Sequence, residues 1–215
     1  MKRILFFSMV AIAAIVTVGC KKSEVCRIHG TIVGEQYEGK RIFLVPFTGP
    51  ATAETVDSME IKDGKFEFAP DSMQMYKILL DYHYRFATQP LIVIAEPGDI
   101  QVTIDTISSA VGTPQNDSLQ TWKELTESHG SQARALNLLI AAKKQHNDTI
   151  EAAQLKEQMK TMRIAYNRRS RELAAHMEGT ILGDFLKGMF PETYQRQLPD
   201  GTVVTMNFDT NEPVQ

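Results

Sequence analysis

The sequence KDGKFEF at residues 62–68 decides the class of fold predicted for the first half of the chain. Asp-Gly is a dipeptide that accepts the positive φ angles of a tight two-residue turn. The alternation of phenylalanine with charged residues that follows is the period-two pattern of a half-buried strand. These residues therefore predict a β-hairpin.

Further short segments on both sides of this hairpin are rich in β-branched and aromatic residues. A second turn signal, Glu96-Pro97-Gly98-Asp99, combines a proline that presets φ with a permissive glycine. The pattern predicts an antiparallel β-sandwich in which both turns join adjacent antiparallel strands. The seven predicted strands are residues 25–33, 41–45, 55–61, 65–69, 75–82, 91–96 and 100–105.

From residue 114 onward the pattern is that of α-helices. Asn116 or Asp117 is predicted to cap a first helix, and Gly130 is expected to interrupt it. A second segment at 131–144 leads into a turn at 146–148, where Asp148 or Thr149 caps a helix over about 150–178. This pattern predicts a helical hairpin, and a partner-binding coiled coil is the alternative. The apolar seam of the last helix consists of Leu155, Met159, Met162, Tyr166 and Leu173.

The whole chain is therefore predicted to be an α+β protein, with an N-terminal antiparallel β-sandwich followed by a helical hairpin and a short C-terminal tail. The tail has a turn signal at Leu198-Pro199-Asp200-Gly201 and room for one hairpin. The predicted segments are a lipoprotein signal peptide at 1–19, a lipid-anchored linker at 20–24, the β-sandwich domain at 25–113, a helical segment at 114–190 and the tail at 191–215.

The first twenty residues predict where the protein resides. Lys2 and Arg3 precede an apolar run at 4–18, which is short for a membrane span but suits a signal peptide. Val-Thr-Val-Gly-Cys at 16–20 resembles the lipobox of bacterial lipoproteins, which implies cleavage before Cys20 and attachment of acyl chains such as palmitate to the mature terminus. An ordinary secretory signal with a chance cysteine is the alternative. The linker lacks the acidic cluster of surface-displayed lipoproteins, which favours the outer membrane facing the periplasm.

Composition and charge exclude several classes of protein. The 43% hydrophobic and 23% charged content is that of a globular protein, and 23 basic against 26 acidic residues lack the basic excess of a nucleic-acid-binding protein. The segment from Arg134 to Arg171 nevertheless holds nine basic and three acidic residues. It is predicted to be either a solvated helix face or a contact with an acidic partner or an anionic lipid. Its candidate partner-binding residues are Lys143, Lys144, Lys156, Lys160, Arg163, Arg168, Arg169 and Arg171.

The sequence contains no recognisable catalytic motif. The five histidines lack metal-ligand spacing, and neither a Gly-x-Ser-x-Gly motif nor a glycine-rich phosphate loop occurs. We therefore predict no enzymatic activity, no cofactor and no metal. Once Cys20 is acylated, Cys26 has no intramolecular partner; it is expected to be a small buried strand residue, with a reactive thiol as the alternative.

An aspartate followed by serine or threonine and then an apolar residue occurs at five places. The triplet resembles an O-glycosylation acceptor motif of exported bacterial proteins, although helix caps and turns use the same residues. The candidate acceptors are Ser72, Thr106 and Thr149.

The motifs at 30–34, 41–44, 56–58, 63–68, 96–100 and 111–117 occur in an order that resembles DUF4369, a family of domains of unknown function in bacterial lipoproteins. In that family the domain usually precedes a thioredoxin-like disulfide oxidoreductase domain, and a helical segment joins the two. The resemblance therefore implies an envelope location and a β-sandwich followed by helices. A thioredoxin-like domain needs a Cys-x-x-Cys motif and about a hundred residues beyond the helices. The chain shows neither, so we expect that domain to be missing and assign its activity to no residue.

Together these observations predict a non-catalytic cell-envelope lipoprotein that acts as a binding or assembly module for a protein or a glycan. The membrane is contacted through the lipid anchor, and no nucleic acid is bound. The alternative is an accessory protein of envelope thiol-disulfide exchange that lacks its own thioredoxin-like domain.

Overall fold

The computed structural model describes residues 25–80 and 90–214 of the chain. The predicted signal peptide at 1–19, Cys20 and the rest of the linker at 20–24 lie outside the described residues. The predicted α+β class is confirmed, because two four-stranded sheets come first and are followed by helices and a C-terminal β-hairpin.

The sandwich consists of two sheets, to which the described residues contribute eight strands. These strands are β1 (Cys26–Ile32), β2 (Arg41–Pro46), β3 (Asp57–Glu60), β4 (Lys65–Phe68), β5 (Met75–Leu79), β6 (Leu91–Ile94), β7 (Gly98–Ile104) and β8 (Ser109–Val111). The order in the first sheet is β4-β1-β7-β8, and the order in the second is β3-β2-β5-β6. The three-residue β8 was not predicted, since it is too short to show an alternating pattern.

The two sheets enclose a single apolar core. Ile28 and Ile100 from the first sheet and Ile42 and Val93 from the second are all 0% exposed and belong to one contact cluster. Full burial of such a side chain contributes about 1.5–3 kcal/mol. Burial of apolar side chains from both sheets in this shared core is thus what holds the sandwich together.

The predicted tight turn after residue 62 is confirmed. Asp63 and Gly64 have φ angles of 51° and 65°, and Lys62 pairs with Lys65 across the turn. The prediction that this turn joins adjacent antiparallel strands of one sheet is wrong, since β3 pairs with β2 in the second sheet and β4 pairs with β1 in the first. The chain crosses between the sheets at Ile61, which is fully buried and donates its backbone N–H to the carbonyl oxygen of Lys40 over 2.9 Å.

The prediction that the turn at 96–99 joins adjacent antiparallel strands is wrong. β6 and β7 lie in different sheets, and β7 pairs with β1 in parallel, from Cys26 opposite Gly98 to Ile32 opposite Ile104. Gly98 has a φ angle of 130° and donates its N–H to the carbonyl oxygen of Val25 over 3.1 Å. The turn therefore carries the chain from the second sheet to the first, and the sandwich contains one parallel pair.

Three helices follow: α1 (Pro114–Gln145), α2 (Thr149–His176) and α3 (Ile181–Met189). The predicted interruption at Gly130 is wrong, because α1 is continuous. One glycine inside a helix lowers stability by only about 1 kcal/mol, and the contacts that α1 makes with α2 offset this loss. The predicted caps Asn116 and Asp117 are also wrong, since both lie inside α1. The cap of α2 is confirmed, because Asp148 accepts a hydrogen bond from the N–H of Glu151 over 3.1 Å.

A second core joins the helices to the outer side of the second sheet. Leu182 and Leu186 of α3 are 0% exposed and cluster with Ile94 of β6 and Trp122 of α1. The strand β6 is therefore covered on both faces. This explains why residues 91–94 read as a continuous apolar run rather than an alternating one.

A buried polar junction fixes the start of α1 against the sandwich. The Asn116 side chain accepts a hydrogen bond from the N–H of Ile94 over 2.9 Å and donates one to the Ile94 carbonyl oxygen over 2.8 Å. The Glu96 carboxylate accepts hydrogen bonds from the backbone N–H of Gln115 over 2.7 Å and from its side-chain amide over 3.1 Å. The amide oxygen of Gln115 accepts the N–H of Leu182 over 3.0 Å, so this junction ties together the sheet, α1 and α3.

The tail forms an antiparallel hairpin of β9 (Thr193–Gln197) and β10 (Val203–Asn207). Met206 is buried, and Phe208 packs against the second core. The tail is therefore docked on the helices.

Candidate functional site

The α1–α2 hairpin extends well beyond the sandwich. Near its start, α1 lies beside Gly98, since a Cβ placed on Gly98 would lie 2.9 Å from the Thr113 side chain. Ten residues later, the Lys123 ammonium donates to the carbonyl oxygen of Ser108, next to the end of β7, over 3.0 Å. The helix thus runs in the same direction as β1 and β7. At 1.5 Å per residue, the part of α1 after Lys123 extends about 33 Å further.

We call the outer part of this hairpin, residues 130–162, the arm. Its buried side chains are Leu136, Ile140 and Ala152, which belong to neither of the two cores. The arm is thus stabilised by contacts between its own two helices. Its end lies on the opposite side of the sandwich from Val25, where the described chain begins.

The arm carries apolar side chains that its own helices do not cover. Leu138 and Ile150 are each 73% exposed, and Leu139 is 50% exposed. Ile150 lies next to the turn at 146–148, and Leu138 and Leu139 lie about two helical turns before it. Exposed large apolar side chains on a projecting element are candidates for a contact surface.

Several of the predicted partner-binding residues are neutralised within the chain. Lys143 forms ion pairs with Asp148, at 3.8 Å, and with Glu151, and the hydrogen bond and charge of Glu151 raise the pKa of Lys143. Arg168 lies 3.6 Å from Glu172, one helical turn along α2. These cations are less available to an external partner.

Arg163 and Arg171 are bound by the tail. The Arg163 guanidinium donates to the Asp209 backbone carbonyl over 2.7 Å, and Arg171 pairs with the Asp209 carboxylate. Asn167 donates to the same carboxylate over 2.8 Å. Burial acts to raise the pKa of Asp209, but the hydrogen bonds from Arg171 and Asn167 outweigh it and hold the pKa below its ordinary value of 3.8.

We expect Asp209→Asn to loosen the tail and lower the free energy of unfolding at pH 7 by roughly 1 kcal/mol. Because the folded-state pKa is lowered, this stabilisation is complete above pH 3.8 and is lost as the pH falls through the folded-state pKa. Urea unfolding at several pH values should therefore show the two proteins converging in acid. Asp71→Asn, at an exposed position of the sandwich, is the control. An equal difference at every pH would contradict the ionic role.

The remaining predicted cations are Lys144, Lys156, Lys160 and Arg169. None of them has an ion-pair partner within 25–80 and 90–214, and the same holds for Arg134 on the arm. The arm's acidic side chains are Asp148 and Glu151, which pair with Lys143, and Glu157. The structure therefore combines unpaired positive charge with exposed apolar side chains on one projecting element.

The three candidate glycosylation sites lie in different parts of the fold. Ser72 precedes β5, and its hydroxyl is within hydrogen-bond distance of the Tyr76 hydroxyl, at 2.8 Å. Thr106 is exposed between β7 and β8, and Thr149 is the exposed first residue of α2. All three stay predictions.

Cys26 is a buried residue of β1, as predicted, with 8% of its surface exposed. Burial raises the pKa of its thiol, which makes it a weak nucleophile at neutral pH. Among the described residues, no group of three or more His, Cys, Asp or Glu side chains is arranged to hold a metal ion. No helix in the same part of the chain is sufficiently long and apolar to span a bilayer.

Comparison with known proteins shows one similarity, and it lies in the sandwich. Residues 26–119 match the model of a family described as a domain of unknown function, DUF4369. This match shows that the sandwich is similar to DUF4369 domains. The DUF4369 match covers all eight strands and ends at Leu119, so it includes the start of α1 but not the arm. No curated protein and no solved structure gives a significant match to the chain.

Sequence reasoning missed two groups of residues with defined roles. Asn116 and Gln115 look like ordinary polar residues at a helix start, and only the fold brings them to Ile94 and Leu182. Asp209 lies 38 positions beyond Arg171 in an irregular tail, and no spacing rule connects the two. Both groups depend on tertiary contacts for which the sequence has no local signal.

Proposed function

We propose that the protein is a non-catalytic cell-envelope lipoprotein that acts as a binding or assembly module and holds an acidic partner protein on its arm. The anchor in this proposal is an acylated Cys20 in the outer membrane, with the domain facing the periplasm. The single observation that carries the proposal is the arm itself, which combines unpaired lysines with exposed Leu138, Leu139 and Ile150 at a distance from both cores.

The direction of the arm supports a partner away from the anchoring membrane. The described chain begins at Val25, whose carbonyl oxygen accepts the N–H of Gly98 at the start of β7. The arm extends past the opposite end of β7. An anchor attached a few residues before Val25 therefore places the sandwich between the membrane and the arm.

The chemistry of the arm favours a protein over a glycan. Residues 130–162 contain no tryptophan, tyrosine or phenylalanine, so the arm lacks the aromatic faces that stack on sugar rings. Exposed aliphatic side chains flanked by cations instead match an acidic amphipathic helix, whose apolar stripe they would cover. Charge complementarity also speeds association and makes it sensitive to salt.

The test is cross-linking of the lipidated protein in its own envelope, followed by affinity purification and mass spectrometry at low and moderate salt. The test variant changes Lys144, Lys156 and Lys160 to Gln, and the control changes the exposed Lys62, Lys65 and Lys187 to Gln. We expect one dominant acidic protein that is recovered with the wild type and the control, and is reduced at least tenfold with the test variant. Recovery of the protein alone, or equal capture by the test variant, would overturn the proposal.

The alternative, a role in thiol-disulfide exchange, has no structural observation in its favour. Cys26 lies in the sandwich core, and burial disfavours its thiolate. A partner held through Cys26 would be released by a reductant and lost in Cys26→Ser. The purification above, repeated with that variant, therefore separates the two hypotheses.

A further inference from the structure

A pocket of about 360 Å³ lies between the sandwich and α1. It is formed where β1 and β7 end, next to the third and fourth turns of α1, and is distinct from the arm. Its volume falls in the range of about 300–1,000 Å³ that is usual for small-molecule sites. Pockets at the junction of two structural layers are frequent sites of ligand binding.

Part of the pocket lining is apolar. Leu91 and Ile104, at 3% and 5% exposure, line the pocket together with Tyr37. Ile107 and Val33 are 71% and 58% exposed and line the same pocket. Large aliphatic side chains that are exposed at a pocket lose contact with water when an apolar ligand binds.

The cation of the pocket is Lys123. Its ammonium donates to the Ser108 carbonyl oxygen over 3.0 Å and to the Gln120 side-chain oxygen over 3.4 Å. Burial lowers the pKa of Lys123, against the opposing charge of Glu127. Among the described residues no carboxylate lies within ion-pair distance of this ammonium. An ammonium has three N–H donors, so one remains for a ligand.

Two carboxylates restrict the charge that the pocket accepts. Asp105 and Glu127 line it together with Lys123. Because the two carboxylates outnumber the one ammonium, the pocket accepts only a negative charge that contacts the ammonium directly, and a second would face these carboxylates without a cation. Coulomb repulsion therefore disfavours phosphate monoesters and other dianions.

We propose that this pocket binds a small amphipathic monocarboxylate. The carboxylate accepts a hydrogen bond from Lys123, and the apolar body lies against Leu91, Ile104 and Ile107. This site would give the protein a small ligand in addition to any partner held on the arm.

The proposal is tested by isothermal titration of the mature protein with four probes that share an eight-carbon chain: octanoate, octanol, octylammonium and octyl phosphate. We expect saturable binding of octanoate at one site, with octanol and octyl phosphate each at least about tenfold weaker. No binding of octanoate, equal binding of octanol, or a preference for octylammonium or octyl phosphate would overturn the proposal.

Two variants locate the site. Lys123→Met keeps an unbranched apolar side chain, one atom shorter, and removes the charge, so octanoate affinity should fall to that of octanol. The control Lys65→Met, at an exposed position of β4, should bind octanoate like the wild type. Should Lys123→Met fail to fold, Ile107→Ser changes only an exposed side chain and should weaken octanoate binding about fivefold. Unchanged octanoate affinity in a folded Lys123→Met or in Ile107→Ser would assign the binding elsewhere.

Discussion

Replacing Gly183 with alanine is expected to lower the free energy of unfolding by about 3 kcal/mol, at the upper end of overpacking effects. A Cβ at this position would lie 2.1 Å from the backbone carbonyl oxygen of Met177, a distance at which the backbone itself must move. The same carbonyl oxygen accepts the Thr180 hydroxyl over 2.7 Å. The substitution therefore disturbs the whole connection between α2 and α3.

Gly188→Ala, in the same helix, is the matched control. A Cβ there meets nothing within 4 Å, and alanine is the better helix former by about 0.8–1.0 kcal/mol. The two variants should therefore change stability in opposite directions. Urea unfolding followed by the fluorescence of Trp122 measures both, since Trp122 is the single tryptophan and lies in the second core. A Gly183→Ala protein as stable as the wild type would contradict the close approach of α2 and α3.

Replacing Asn116 with alanine is expected to cost a similar amount, about 3 kcal/mol. Asn116 is 0% exposed, and its amide satisfies both the N–H and the carbonyl oxygen of Ile94. Without it, two buried backbone groups lack partners, and each such loss costs about 1–3 kcal/mol. Loss of this junction should also loosen α1 from β6.

Asn137→Ala, on an exposed face of the same helix, is the matched control. It should leave stability unchanged or raise it slightly, because alanine has the higher helix propensity. Hydrogen exchange adds a local measurement, since the Ile94 amide should exchange faster in Asn116→Ala than in Asn137→Ala. Equal exchange in both variants would mean that Asn116 does not protect Ile94.

Local patterns predicted the elements of the fold but not all of their pairing. The alternation around Phe66 and Phe68 and the cap at Asp148 act over a few residues, and both are confirmed. The parallel pairing of β1 with β7 depends on contacts between distant segments. The turn at Pro97-Gly98 is chemically compatible both with an antiparallel hairpin and with a connection between two sheets. Turn residues specify a local backbone shape but not which strand becomes the neighbour.

In the candidate site, too, local features were predictable and contacts between distant residues were not. The basic character of the arm follows from composition, because lysines and arginines recur along residues 134–171. Which of them are neutralised depends on Asp209, Glu151 and Glu172, and two of these three belong to the same hairpin as the cations they bind. The pocket at Lys123 was not predicted, since it exists only where α1 meets the ends of β1 and β7.

The parallel pairing of β1 has a consequence for the order of folding. Each residue of β1 meets its β7 partner about 70 positions later in the chain, whereas β5 and β6 are much closer neighbours in sequence. Closing such a long loop is slow, so we expect the first sheet to be completed after the second. Until then β1 would lack its parallel neighbour, and we expect the Cys26 thiol, which is buried in the native protein, to be more accessible to oxidants.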